Sequence, residues 1–143
     1  MDYTVAMQRA IALAEKGLGK TAPNPIVGAV IVDSTGAIIA EGFHDRMKSP
    51  DHAEVIAINA AGEKAKGSTI VVTLEPCAMC AGAIAQSRIS TLVFGAWDEK
   101  AGAVGSVWDL LRDSRSLHKV EVRTGVLAEE SSKLLQDFFK SHR

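Results

Sequence analysis

Three short runs of β-branched and other apolar residues constrain the fold of this chain most: "IVGAVIVD" at 26–33, "STIVVTL" at 68–74 and "STLVFGA" at 90–96. Each has the length of a strand and ends in turn or polar residues, and each is apolar enough to read as buried. Between and around them the spacing changes to that of helices. Met7, Ala10, Ile11 and Ala14 recur at i, i+3, i+4 and i+7, which predicts a helix over 3–16 that Gly17 and Gly19 stop. "APNP" then imposes an extended, rigid entry into the first strand. "DSTG" turns that strand back into "AIIAEGF", a hairpin. Val55, Ile56 and Ala60 mark a helix beginning near Asp51, and the Ala-rich stretch 77–86 marks another directly after the second run. Residues 100–113 read as Gly-rich and then helical, with Asp109, Leu110 and Leu111 in the helical part. "KVEVRTG" alternates as a weaker, peripheral strand, and Leu134, Leu135, Phe138 and Phe139 give a last helix over 128–140 an apolar stripe.

Strands that alternate with helices after an opening hairpin predict an α/β fold, a three-layer α/β/α sandwich around a five-stranded mixed sheet. With 143 residues and neither repeats nor a linker, 1–143 is expected to be one domain with a substantial core. No run approaches eighteen apolar residues, so no membrane span is expected. A net charge of −1 speaks against an extended phosphate-tracking surface, yet leaves room for a small docking site for a folded RNA loop. Two cysteines are too few for a disulfide scaffold. Their C-x-x-C spacing, with no signal-peptide pattern before it, points to a reducing, cytoplasmic setting.

Chemistry concentrates in two places. One is "DHAEV", with His52 and Glu54, at the start of the helix after the hairpin; the other is "PCAMC", with Cys77 and Cys80, at the start of the helix after the second run. Taken alone, Cys77 and Cys80 are open to three readings: a redox dithiol, part of a metal site, or two small apolar core residues. Open α/β sheets hold ligands beyond the carboxyl ends of their strands, where helix N-termini point and favour thiolate over thiol. The fold thus directs one imidazole, two sulfurs and one carboxylate toward a common point. His52, Cys77 and Cys80 supply three zinc ligands, the count for a catalytic site with its fourth position open to water. A structural zinc site needs a fourth protein ligand, for which His44, His118 and His142 are the histidines available. Zinc brings bound water to a pKa of about 7, and Glu54 is spaced to take that water's proton and pass it to a leaving group. Glu75 is expected to bond backbone or a neighbouring loop, without a catalytic role.

The combination H-x-E…P-C-x-x-C is the signature of zinc nucleobase deaminases. Residues 72–143, from "VTLEPCAMCAGAIAQSRISTLVFGAWDEKAGAVGSVWDLL" to the tail "GVLAEESSKLLQDFFKSHR", resemble the bacterial tRNA-specific adenosine deaminases of the cytidine deaminase-like superfamily. That resemblance implies zinc held by His52, Cys77 and Cys80, proton transfer by Glu54, and Asp98 beside the bound nucleotide. It also implies conversion of wobble adenosine to inosine, a homodimer whose site uses both subunits, and a C-terminal helix that helps hold the tRNA anticodon loop.

The first half resembles a second family. "TAPNPIVGAVIV", "AEGFH" and "AGEKAKGSTIVVTLEPC" are similar to the deaminase domain of the riboflavin pathway, in which the positions matching Asn24 and His44 line the substrate pocket. The tRNA enzymes usually have Asn where this chain has His44, "DPTAHAE" where it has "SPDHAE", and Asn where it has Leu117 before His118. The riboflavin enzymes space their two cysteines more widely and add a reductase domain. The departures fall in the pocket, so they bear on the substrate and not on the reaction. The alternative substrate is a free nucleobase, a nucleoside or a riboflavin-pathway pyrimidine. Trp97 and Trp108 are expected to pack or to lie at the dimer interface.

Overall fold

The computed structural model describes residues 2–116 and 118–141. Its apolar runs pair into one mixed sheet. The elements are α1 (Thr4–Glu15), β1 (Gly28–Val32), β2 (Ile38–Phe43), α2 (Ala53–Ala61), a 3-10 turn (Gly62–Ala65), β3 (Thr69–Leu74), α3 (Ala78–Gln86), β4 (Thr91–Ala96), β5 (Glu121–Thr124) and α4 (Ala128–Ser141). The strand order is β2-β1-β3-β4-β5, with β1 antiparallel to both neighbours and β3, β4 and β5 parallel. The hairpin turn is held by Asp33, whose Oδ1 accepts the N–H groups of Thr35 at 2.9 Å and Ala37 at 3.1 Å.

Successive side chains of a strand point to opposite faces, and the two halves of the core follow that period. Ala29, Ile31, Ile70, Val72, Leu92 and Phe94 pack against Ala53 and Ala57 of α2 and Ala81 and Ile84 of α3. The intervening Val30, Val32, Val71 and Val93 pack against Met7, Ala10 and Leu13 of α1. Phe138 of α4 joins Ala14 and Ile26, which puts α4 in the same layer as α1. The expected α/β/α sandwich on a five-stranded mixed sheet is therefore what forms. Among the described residues no helix is long and apolar enough to cross a membrane.

Close approach of α2 to the sheet depends on Gly42 in β2. A Cβ there would run into the carbonyl oxygen of Ala53, at the first turn of α2. Burial of that helix against β2 and β1 fixes the height at which its N-terminus meets the site.

One expectation is corrected. Residues 100–113 form no helix; they make turns joined by isolated bridges, Cys77 to Gly102 and Val104 to Asp109. The backbone N–H groups of Asp98, Val104 and Ser106 all turn toward the Glu75 carboxylate instead of toward carbonyls one turn earlier. Gly105 sits at φ 132°, outside helical space. Leu111 is buried all the same, through the path of the loop and not through a helical face. Two helix starts also shift: α2 begins at Ala53 and α3 at Ala78, so Pro76 precedes the helix cap and lies outside the first turn.

Candidate active site

His52 and Cys77 occupy equivalent places, each the extended residue immediately before a helix. His52 caps α2 at φ −73° and ψ 162°, and Cys77 caps α3 at φ −74° and ψ 175°. Both follow the carboxyl end of a strand, so both helix N-termini direct their partial positive charge to one spot. Cys80, one turn into α3, lies beneath them and is fully buried.

The His52 Nδ1 atom lies 3.7 Å from the sulfur of Cys77 and 3.5 Å from that of Cys80. The ligand atoms of all three fall within 4.8 Å of one another. Tetrahedral zinc, with bonds of about 2.3 Å to sulfur and about 2.05 Å to nitrogen, sets sulfur and nitrogen about 3.6 Å apart. The donor set therefore fits zinc in both chemistry and spacing. The electrostatics agree. Hydrogen bonding from Cys80 and then from His52 holds the Cys77 thiol down at about 4. The same bond to Cys77, with burial, pushes Cys80 up, and the Cys77 partner raises His52. Proton sharing of this kind is what a metal replaces when it binds both sulfurs as thiolates.

Glu54 stands in the first turn of α2, buried to 4% exposure. Burial pushes its carboxyl up to about 7, and the charge at Cys77 adds to the rise. A carboxyl tuned close to neutrality can both take and give a proton at pH 7.

A cavity of about 140 Å³ opens over this cluster, lined by Asn24, His44, His52, Glu54, Glu75, Cys77 and Asp98, with Pro25, Val27, Leu74 and Ala101 among its apolar walls. Typical pockets for drug-sized ligands run from about 300 to 1,000 Å³, so this one suits a single heterocycle. Asn24, His44, His52, Glu54, Cys77 and Asp98 thus face one cavity, and Cys80 underlies it.

His44 is committed on both ring nitrogens. A carbonyl only accepts, so Nδ1 donates to the Asp51 oxygen at 2.9 Å, and Nε2 receives the Asn24 amide N–H at 3.3 Å. The ring meets His52 edge to face with centroids 5.5 Å apart. His44 is therefore no fourth ligand. Nor is His118, whose Nε2 donates to the Ile89 carbonyl at 2.7 Å. His142 and Leu117 lie outside the described residues. Asp98 accepts the N–H groups of Lys100 at 3.0 Å and Ala101 at 3.2 Å through one oxygen, which fixes the loop at the cavity's rim. The Asp51 carbonyl is a part of the site that no side-chain motif marks.

The comparisons with known proteins agree with this geometry. Residues 2–96 match the family described as the cytidine and deoxycytidylate deaminase zinc-binding region. The tRNA-specific adenosine deaminase of Haemophilus influenzae is 46% identical over 96% of this chain and 83% of its own. A solved structure reported for A-to-I editing by tRNA:A34 deaminases at the wobble position of transfer RNA is 33% identical, with a TM-score of 0.79 over 92% of this chain and 99% of that one. RibD of Acinetobacter baumannii is 38% identical with a TM-score of 0.80, over 96% of this chain and 39% of that one, so the chain spans about two fifths of that protein.

Proposed function

The chain belongs to the cytidine and deoxycytidylate deaminase zinc-binding family, a hydrolase acting on carbon–nitrogen bonds, and from that premise we propose that it deaminates adenosine to inosine at the wobble position of a tRNA. The observation that carries the reading is the near full-length match to the Haemophilus tRNA-specific adenosine deaminase, which continues past the zinc-binding region at residue 96.

In this reading His52 Nδ1, Cys77 and Cys80 hold one zinc ion. Bound there, zinc supplies the positive charge that lets water give up a proton near neutral pH. Glu54 takes that proton on a carboxylate oxygen as water adds to the ring carbon bearing the amino group. It delivers that proton to the ring nitrogen of the attacked C=N bond and then carries the proton left on the added oxygen to the amino nitrogen, so that the carbon–nitrogen bond breaks and ammonia leaves with inosine remaining. Asn24, His44 and Asp98 orient the base from the cavity wall. A base in an anticodon loop is already partly unstacked, so turning it into so small a cavity costs little.

The active form in this proposal is a cytoplasmic homodimer whose substrate site draws on both subunits. Supporting it, Trp97, Val107, Trp108 and Leu110 expose apolar surface on the loop beside the cavity.

The test is to incubate the zinc-loaded protein with an anticodon stem-loop bearing adenosine at the wobble position. Inosine is expected; zinc-loaded dimer that yields none rejects the reading. A second reading rests on the Asn24–His44 hydrogen bond inside the cavity and on the RibD match: the same chemistry on a free base, nucleoside or riboflavin-type pyrimidine. Ammonia release from a panel of such molecules supports it, and silence across the panel alongside activity on RNA removes it.

A further inference from the structure

Glu75 is a buried carboxylate that neither the metal cluster nor the proton transfer uses. Its Oε1 accepts the Asp98 N–H at 2.9 Å and the hydroxyl of Ser106. Its Oε2 accepts the N–H groups of Val104 and Ser106, each at 3.0 Å. A carboxylate has about four acceptor positions, and four donors fill them, so nothing is left to offer a ligand. Gly102 faces the same carboxylate so closely that a Cβ there would overlap it. The loop is pinned beside it as well, with the Ala103 N–H donating to the Pro76 carbonyl at 2.9 Å and the Gly102 N–H to the Asp98 carbonyl at 2.9 Å. The carboxylate thus stands where β3 ends, between the metal-bearing helix on one side and the loop that carries Asp98 to the cavity rim on the other.

We propose that Glu75 is a positioning residue for substrate: it holds the loop 98–106 at the cavity's rim and so places Asp98 against the bound heterocycle, separately from the metal. The inference deepens the proposed reaction and rests on its site. It follows from the donors. Four hydrogen-bond donors converging on one buried charge define a single loop conformation, and none of them comes from a residue that binds metal. An amide NH2 in place of Oε2 faces the N–H groups of Val104 and Ser106, and in place of Oε1 it faces the Asp98 N–H while the Ser106 hydroxyl turns to accept, so either way part of the loop must move away.

The test compares Glu75→Gln and Gly102→Ala with wild type, all loaded with zinc. Glu75→Gln removes the acceptor, whereas Gly102→Ala keeps it and pushes a methyl group into it. Both are expected to retain the wild-type zinc content. Hydrogen exchange should accelerate about a hundredfold in the amides of 98–106, while α2 and α3 stay protected. KM for the anticodon stem-loop should rise about tenfold with kcat falling less than about threefold. Ser106→Ala, which removes one hydroxyl donor, should give a smaller change of the same kind and covers the case in which Glu75→Gln does not fold. Loss of zinc in step with activity, or faster exchange with an unchanged KM, overturns the proposal: Glu75 would then brace the metal site or only the fold. If wild type proves silent on RNA, that failure belongs to the proposed substrate, and the KM comparison is made on whichever small molecule of the panel releases ammonia.

Discussion

His52, the residue before α2, and Cys80, inside α3, are 28 residues apart in sequence, yet Nδ1 and Sγ face each other at 3.5 Å with Cys77 alongside. Two helix N-termini brought together by a shared sheet produce that approach, and the backbone holds it. Zinc should therefore bind a largely preformed site. Removing it with a chelator is expected to abolish turnover while leaving the α/β core folded, because the apolar clusters on both faces of the sheet need no metal. The melting temperature should then rise with added zinc, as for any ligand that binds only the native state. Oxidising Cys77 and Cys80 to a disulfide should expel zinc and stop the enzyme in the same step. Circular dichroism with metal analysis checks both; full activity after complete oxidation contradicts the assignment of the thiols.

Glu54 is expected to be needed for turnover and unhelpful for stability. Glu54→Gln keeps the shape of the side chain but cannot carry a proton between water and nitrogen, so activity should fall by about 10² to 10⁴ with zinc retained. A non-catalytic zinc module would lose nothing by the same change.

The pH dependence of that substitution follows from burial. The Glu54 carboxyl rises from an ordinary 4.5 to about 7 in the folded chain. The folded state therefore holds a proton that the unfolded state has lost between those values, and stability falls as pH rises through that window. Above pH 7 the full penalty is on the order of 3 kcal/mol, at about 1.4 kcal/mol per pH unit. Cys77, held down at about 4, has the opposite sign over the same range, and His52, raised by its bond to Cys77, has the same sign as Glu54, so the wild-type curve mixes three effects. The difference between variants separates them. In metal-free protein Glu54→Gln should be more stable than wild type at pH 8, and the gap should close toward pH 5. Urea denaturation across that range measures it, and a gap that does not vary with pH contradicts the burial argument.

Much of the framework was legible because it is written in local pattern. The three apolar runs became β1, β3 and β4, and the weaker "KVEVRTG" became the edge strand β5, where exposure accounts for its diluted pattern. The approach of His52, Glu54, Cys77 and Cys80 was also readable, since both motifs follow strand ends and precede helices. The loop 100–113 was not. Asp109, Leu110 and Leu111 look helical in isolation, but the neighbouring backbone donors are drawn to Glu75, a contact across about 30 residues that no local window contains. Arg88 illustrates the same limit. It adopts φ 60° just past the end of α3, a place where sequence would lead one to look for Gly or Asn. Pocket chemistry was legible only in part, because the partner that orients His44 is the carbonyl of Asp51, and every residue has a carbonyl.

That orientation makes a prediction for His44. Substituting Ala leaves the Asp51 carbonyl and the Asn24 amide unpaired at the cavity wall, and frees Asn24 to rotate. Substrate binding should weaken by about 1–3 kcal/mol, seen as a higher KM, with zinc content unchanged. Asn24→Ala should weaken binding in the same direction without disturbing the His44–Asp51 bond. Loss of zinc in His44→Ala would instead make the ring's edge contact with His52 its main role.

Gly42 tests whether the sheet sets the height of the metal site. A methyl group there meets the Ala53 carbonyl, the Ala57 nitrogen at 2.9 Å and the Ile56 Cβ at 3.1 Å, so α2 must lift away from β2. Overpacking of this kind costs about 1–3 kcal/mol of stability. His52 is the residue before α2, and Glu54 lies in its first turn, so the same lift shifts one zinc ligand and the proton carrier relative to the cysteines of α3, whose Ala81 and Ile84 pack into the cluster on the same face of the sheet. Gly42→Ala should therefore bind zinc more weakly than wild type and lose more activity than its stability loss explains, even at temperatures where it is fully folded. Zinc titration against a competing chelator, run beside a melting curve, separates the two effects. An unchanged zinc affinity in a destabilised variant would show that α2 can move on the sheet without carrying His52 with it.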